Sequence, residues 1–232
     1  MKKCNSYIIS ALLLFISVAF IGYKIHSELP IPPVELKLNS RELLMGLSHA
    51  NLLKMKEAAD RLVTMSKKRV IEPYLGSELY SHYPPGDMLS TENGYQFYYH
   101  THRSNERGHF HTFTLNSEGT FSHIIAIGID EAGYPNKLFT INGWVTSETL
   151  RPYSELKGEL ERFQQASDHP LGEWIQQVFI LFEPQIREVI KKRDAHLMEH
   201  RDKENSRIEL VSQVSLSLES QRNSISLLLQ QK

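Results

Sequence analysis

Five of the eleven histidines of this 232-residue chain lie in one stretch, Gln96–Ile129, and this stretch places the strongest constraint on the fold. Phe, Tyr, Thr and Ile surround the histidines, as is typical of β-strands. Two turn-like interruptions, at residues 103–108 and 116–120, divide the stretch into three strands. Because short turns join the three strands, we expect them to be antiparallel neighbours.

Strand periodicity and register decide whether the histidines of this stretch meet. Residues two apart share a face of a strand, so His100 points with His102, and His109 points with His111. If the first turn pairs His102 with His109, His100 lies opposite His111, and opposed Cβ atoms are about 4.5–5.5 Å apart. A change of register by one residue would send the two pairs to opposite faces.

The second turn brings the fifth histidine to the same face. When Leu115 lies opposite Phe121, His123 lies opposite Phe113. Converging neutral imidazoles are common ligands of divalent transition metals. The predicted metal ligands are His100, His102, His109, His111 and His123. The alternative is a metal-free stack of hydrogen-bonded histidines, and the residue pattern leaves the two open.

Further residues near the histidines are candidates for site roles. Asp87 and Glu106 offer carboxylates that can orient an imidazole, and Arg103 can hold an anion. Glu148 offers acid–base chemistry, and Trp144 lies close to it in the sequence. No nucleophile elbow and no glycine-rich phosphate loop occurs in the chain. Two function classes therefore stay open, a metal-dependent enzyme of unknown substrate and a non-catalytic binding or assembly module.

The N-terminus predicts a membrane anchor. Lys2 and Lys3 precede an uncharged run over residues 5–23, and about 20 apolar residues span a bilayer. A cleaved signal peptide is the competing interpretation, but the run is not followed by a small-x-small cleavage site. The positive-inside rule places the two lysines in the cytoplasm. We therefore expect a single-pass membrane protein with an extracytoplasmic domain.

Charge and cysteine content exclude two classes of protein. Lys and Arg total 26 against 27 Asp and Glu, so the chain lacks the basic excess of a nucleic-acid-binding protein. The only cysteine is Cys4, so no intrachain disulfide can form.

Helical patterns flank the histidine stretch, and residues 137–142 predict a fourth strand. The expected fold class is α+β, a small antiparallel meander sheet flanked by helices, with an N-terminal transmembrane helix. The expected parts are an anchor at residues 1–28, an α+β domain at 29–205 and a helical or flexible tail at 206–232. Apolar residues of the tail follow heptad spacing, which indicates possible self-association or loose docking.

Several longer motifs lie between about His82 and Glu148: HYPPGD, QFYYHTHR, GHFHTF, HIIAIGID, GYPNKLFT and NGWVTSE. Together these motifs resemble those of a bacterial domain family of unknown function. The resemblance implies one intact domain and no particular activity. The chain departs from the family pattern at Gly143, where a basic residue is expected.

A second resemblance is partial. Gly94, His100, His102 and Glu106 have the spacing of the first half of the cupin metal motif. In cupins the two histidines and the glutamate bind a divalent metal inside a β-barrel. The second cupin motif has no counterpart in this chain.

Overall fold

The computed structural model describes residues 30–90, 94–102, 107–116, 118–164, 167–200 and 207–231. Within these limits, residues 31–232 belong to one compact unit. The predicted anchor, residues 1–28, lies outside the described residues. None of the helices in the described ranges combines the length and the apolar character needed to cross a bilayer. The observed fold is α+β, and no transmembrane helix is part of it as described.

Seven strands form one open, mixed sheet. The strands are β1 Val34–Glu35, β2 Tyr83–Ser90, β3 Tyr95–His100, β4 His109–Leu115, β5 Phe121–Ile129, β6 Pro135–Ile141 and β7 Leu210–Ser215. Their order across the sheet is β1-β7-β6-β5-β4-β3-β2. The β1–β7 pair is parallel and the other pairs are antiparallel. The prediction of a small, purely antiparallel meander was therefore wrong, because it covered only β3 to β6.

Strand β2 lies at the edge of the sheet, although its sequence predicts a turn. Pro84 and Pro85 lack the backbone N–H that a central strand needs, but an edge strand tolerates proline. The pairing of β2 with β3 changes register between Tyr83 and Met88. Residues 84–87 therefore bulge out of the ladder, and Asp87 has a positive φ of 58°. A bulge of this kind redirects side chains at the sheet edge.

One face of the sheet packs on helices. The helices are α1 Ser40–Leu44, α2 His49–Lys67, α3 Gly143–Thr146, α4 Tyr153–Leu156, α5 Pro170–Glu199 and α6 Leu218–Gln230. Trp174 of α5 packs on Phe110 of β4 with ring centroids 5.0 Å apart. The side chains of Phe97, Ile125 and Ile127 belong to the same buried core. Because strand residues alternate between faces, the histidines beside Phe110 in β4 point away from α5.

The C-terminal segment is built into the domain. Strand β7 pairs with both β1 and β6, and α6 buries Ile225 and Leu228 in the core. The buried amide of Gln221 accepts a hydrogen bond from Gln185 at 2.7 Å and donates one to the carbonyl of Leu181 at 2.9 Å. Apolar residues that suggested a heptad pattern are therefore packed inside the chain itself.

Candidate metal centre

The register of β3 and β4 brings the two histidine pairs to one face. His100 lies opposite His109, and Tyr98 lies opposite His111. The predicted pairing of His102 with His109 is thus displaced by two residues. A displacement by two leaves every side chain on its face, so the convergence expected from the sequence is retained.

The pairing of β4 with β5 makes room for the imidazoles. Phe113 lies opposite His123, as predicted, and a bulge follows between Thr112 and Phe113. Without this bulge Ile125 would face His111, whereas in the structure Ala126 lies opposite His111. Gly128 lies opposite His109 in the same way. The residues of β5 that oppose the two histidines of β4 are therefore small.

Three imidazoles converge through the same ring atom. The Nε2 atoms of His100 and His109 lie 2.9 Å apart, those of His109 and His111 lie 3.0 Å apart, and those of His100 and His111 lie 3.2 Å apart. These three residues form a group of potential metal ligands. His111 is buried, whereas His100 and His109 are only partly buried. We call this group the histidine triangle.

His102 and His123 lie on either side of the histidine triangle. His102 Nε2 is 3.2 Å from His100 Nε2, and the His102 ring stacks on His109 with centroids 5.2 Å apart. His123 is fully buried, and its Nε2 atom lies 3.0 Å from Nδ1 of His111. The remaining nitrogen of His123, Nδ1, has no hydrogen-bond partner among the described residues. Hence His123 contacts the triangle through the far side of the His111 ring.

Burial keeps the imidazoles of the triangle and of His123 neutral at pH 7. Desolvation, reinforced by His102 and His82, lowers the pKa of His100 to about 4. Desolvation also lowers the pKa of His109 to about 2, with His100 next in effect. The pKa of His111 falls well below its ordinary value for the same reason, and that of His123 falls to about 3. Only a neutral imidazole offers a lone pair to a metal ion, so the histidines of the triangle have the protonation state that a metal ligand requires.

A hydrogen-bond network around the carboxylate of Asp87 borders the triangle on the β2 side. Asp87 contacts Nδ1 of His82 at 2.8 Å and accepts a hydrogen bond from Nε2 of Gln96 at 2.5 Å. The His82 ring stacks on Tyr98 with centroids 3.7 Å apart and lies edge-on to His100 at 5.8 Å. The sequence pattern predicted a site role for Asp87 but not for His82, because HYPPGD predicts a turn. The order His-x4-Asp just before a histidine-rich strand was the available signal.

Of the remaining predicted site residues, Glu148 and Trp144 lie outside the histidine triangle. Glu148 is half-buried, burial raises its pKa, and its Oε2 atom has no hydrogen-bond partner among the described residues. The exposed Trp144 donates its indole N–H to the carbonyl of Ile208 at 3.1 Å. Arg103 and Glu106 lie outside the described residues, so their predicted roles stay predictions. Neither Glu148 nor Trp144 belongs to the group that could hold an ion.

The fold and the site define the class as an α+β domain with a histidine cluster on the sheet face opposite helix α5. Residues 50–222 match the model of a family described as a domain of unknown function, DUF6969, and the chain belongs to this family. The resemblance found in the sequence is thereby confirmed at the level of a family without an assigned activity. No curated protein and no solved structure matches the chain. The partial similarity to cupins gains no support, and the sheet is open instead of closed into a barrel.

Proposed function

We propose that this domain binds one divalent transition-metal ion through the Nε2 atoms of His100, His109 and His111. The observation that carries the proposal is the mutual approach of these three atoms, at 2.9, 3.0 and 3.2 Å. Histidine nitrogens bind zinc at about 2.0–2.1 Å, which places neighbouring ligand atoms roughly 2.8–3.0 Å apart in an octahedral arrangement and roughly 3.3–3.4 Å apart in a tetrahedral one. The spacings in the triangle lie within the span of these two arrangements.

Hydrogen bonding alone does not account for the triangle. A neutral imidazole has one N–H donor and one acceptor nitrogen. Each Nε2 atom is therefore either a donor or an acceptor. Among three mutually close atoms at least two have the same role, so at least one of the three contacts pairs two donors or two acceptors. A shared cation accepts the lone pairs of all three nitrogens together and removes this conflict.

The far side of the His111 ring supports the same proposal. If His111 Nε2 binds the ion, Nδ1 carries the hydrogen and donates it to Nε2 of His123. Such a hydrogen bond fixes the tautomer and orients the ligand ring. Burial of His123 keeps it neutral, and hence able to accept.

We further propose that the ion serves a catalytic role. Three protein ligands leave coordination positions open, which is typical of catalytic instead of structural zinc sites. An ion with open positions supplies Lewis-acid chemistry or a metal-bound hydroxide. His100 and His109 are only partly buried, and the His82–Asp87 pair and the half-buried Glu148 supply ionisable groups on this side of the domain. The metal-dependent enzyme is therefore preferred to the binding module.

Cobalt substitution tests both parts of the proposal. The full chain is loaded with Co²⁺, and the visible absorption bands are recorded with and without azide, a small anion that occupies open positions. We expect visible bands that change with azide, and the His109→Gln variant should lack the bands of one Co²⁺ ion per chain. If the parent loaded with Co²⁺ shows no visible bands, metal binding at this face is contradicted. Bands that do not respond to azide indicate a closed structural site and favour the non-catalytic module.

A further inference from the structure

The end of helix α5 carries a second cluster of metal-ligating side chains, separate from the histidine triangle. It consists of His196, Glu199 and His200, whose potential ligand atoms all lie within 4.8 Å of one another. The imidazole rings of His196 and His200 have centroids 4.6 Å apart at an interplanar angle of 65°. We infer that this cluster is a second, independent binding site for a divalent transition-metal ion.

Helix geometry explains why these three side chains meet. Residues three and four apart lie on one face of a helix, with Cβ atoms about 5–6 Å apart. Glu199 and His200 stand in that relation to His196, so all three side chains project from the last turn of α5. The same H-x-x-E-H order occurs in helix-borne zinc sites, where two imidazoles one turn apart hold one ion.

His196 has the features of a metal ligand. The side chain is 93% buried (7% exposed), yet its Nε2 atom has no hydrogen-bond partner in the described part of the chain. Buried polar atoms almost always have a partner, so an unpaired one calls for an explanation. A cation held between His196 and His200 supplies that partner.

The position of the cluster also favours a cation. The last carbonyl groups of a helix carry the negative end of the helix dipole, which attracts positive charge within the final turn. Helix α5 ends at Glu199, and the following His200 has φ −113° and ψ 38°, which are not helical values. The carboxylate of Glu199 adds negative charge and an oxygen ligand. The positive charge of Lys192, which acts on His196, would repel a bound cation. We therefore expect this site to bind a metal ion more weakly than the triangle.

Metal titration of the full chain with Zn²⁺ tests this inference by calorimetry. The parent is expected to bind two ions per chain, the second more weakly. His196→Ala and His200→Ala should each remove only the weaker event, and Glu199→Gln should weaken it. His49→Ala, which changes an exposed histidine of α2, is the matched control and should change neither event.

Variants of the two sites separate this inference from the proposed function. The weaker event should persist in His109→Gln, which changes only the triangle. If the parent binds two ions and His196→Ala and His200→Ala leave both events intact, the second site is refuted. A parent whose only event is lost in His109→Gln refutes it as well. A single event that is lost in His196→Ala but retained in His109→Gln supports the second site and refutes the triangle.

Discussion

The Nδ1 atom of His111 lies 3.0 Å from the Nε2 atom of His123, while the other nitrogen of His111 belongs to the histidine triangle. One imidazole therefore joins a partly exposed cluster to a fully buried histidine. In the proposed metal site, His123 would orient the ligand His111 without touching the ion.

The His123→Leu variant is expected to weaken metal binding without abolishing it. Loss of a second-layer hydrogen bond to a histidine ligand typically reduces metal affinity by about 10- to 100-fold. His123→Gln keeps an acceptor for His111 Nδ1 and should reduce affinity less. Competition with a coloured chelator measures both affinities, and His49→Ala provides the control. Equal affinities for His123→Leu and the parent would show that His123 does not orient the site.

Acidification should destabilise the metal-free protein. The folded-state pKa values of His100, His109 and His123 are about 4, 2 and 3, whereas an unfolded histidine has a pKa of about 6.5. Between these values the unfolded state binds more protons, so stability is retained above about pH 6.5 and is lost as the pH falls below it. Each such histidine contributes a slope of at most about 1.4 kcal/mol per pH unit.

Denaturant unfolding at pH 7, 6 and 5 checks this expectation. The carboxylates of Glu72 and Glu159, whose pKa values are lowered through Arg107 and Arg151 despite burial, affect stability only at lower pH. In the His100→Gln variant the slope of the unfolding free energy against pH should fall by up to about 1.4 kcal/mol per pH unit, which corresponds to one proton. A free energy of unfolding that stays constant from pH 7 to 5 would argue against buried, neutral histidines.

Gly108 is expected to be essential for the register of β3 and β4. A Cβ atom at this position would overlap the carbonyl oxygen of His100 and press against the ring of Tyr99. The Gly108→Ala variant should therefore separate the strands beside the triangle and lower both stability and metal content. At Gly46 an added Cβ meets no atom within 4 Å, so Gly46→Ala is the control. Parent-like melting and metal content in Gly108→Ala would contradict the observed strand pairing.

Helix α6 should contribute to the core of the domain. Ile225 is fully buried, whereas Leu227 in the same helix is 48% exposed. Truncation of a buried isoleucine to alanine typically costs about 2–5 kcal/mol. We therefore expect Ile225→Ala to lower the free energy of unfolding by that amount and Leu227→Ala to have a much smaller effect, as measured by urea unfolding. Similar effects of the two variants would indicate a loosely attached C-terminal segment.

The sequence predicted the centre of the sheet well, because the signals there are local. Strands β3 to β6 follow from alternation and turns. The histidine pairs were correctly placed on one face, because a register error of two residues leaves each side chain on its face. The register was wrong by two residues, since turn length does not fix the pairing. The bulge between Thr112 and Phe113 was not predictable, because alternation and turns indicate a continuous register, which a bulge interrupts.

The edges of the sheet escaped prediction for different reasons. The prolines of β2 indicate a turn, although β2 is an edge strand. An edge strand tolerates proline, because one of its sides is not hydrogen-bonded to another strand. Strand β7 pairs with β1 and β6, which lie far away in the sequence, and this pairing decides its structure over its heptad-like spacing. His82 was overlooked because HYPPGD predicts a turn, whereas in the structure its ring contacts Asp87 of the edge strand β2.

The most direct test of the central claim is the metal content of the full chain after zinc loading and removal of unbound ion, measured by elemental analysis. His100→Gln and His109→Gln, which keep side-chain size and polarity, are compared with the parent, and circular dichroism verifies that each variant is folded. We predict that each variant contains one zinc ion per chain fewer than the parent. Folded variants with the same zinc content as the parent would contradict a metal site at His100, His109 and His111.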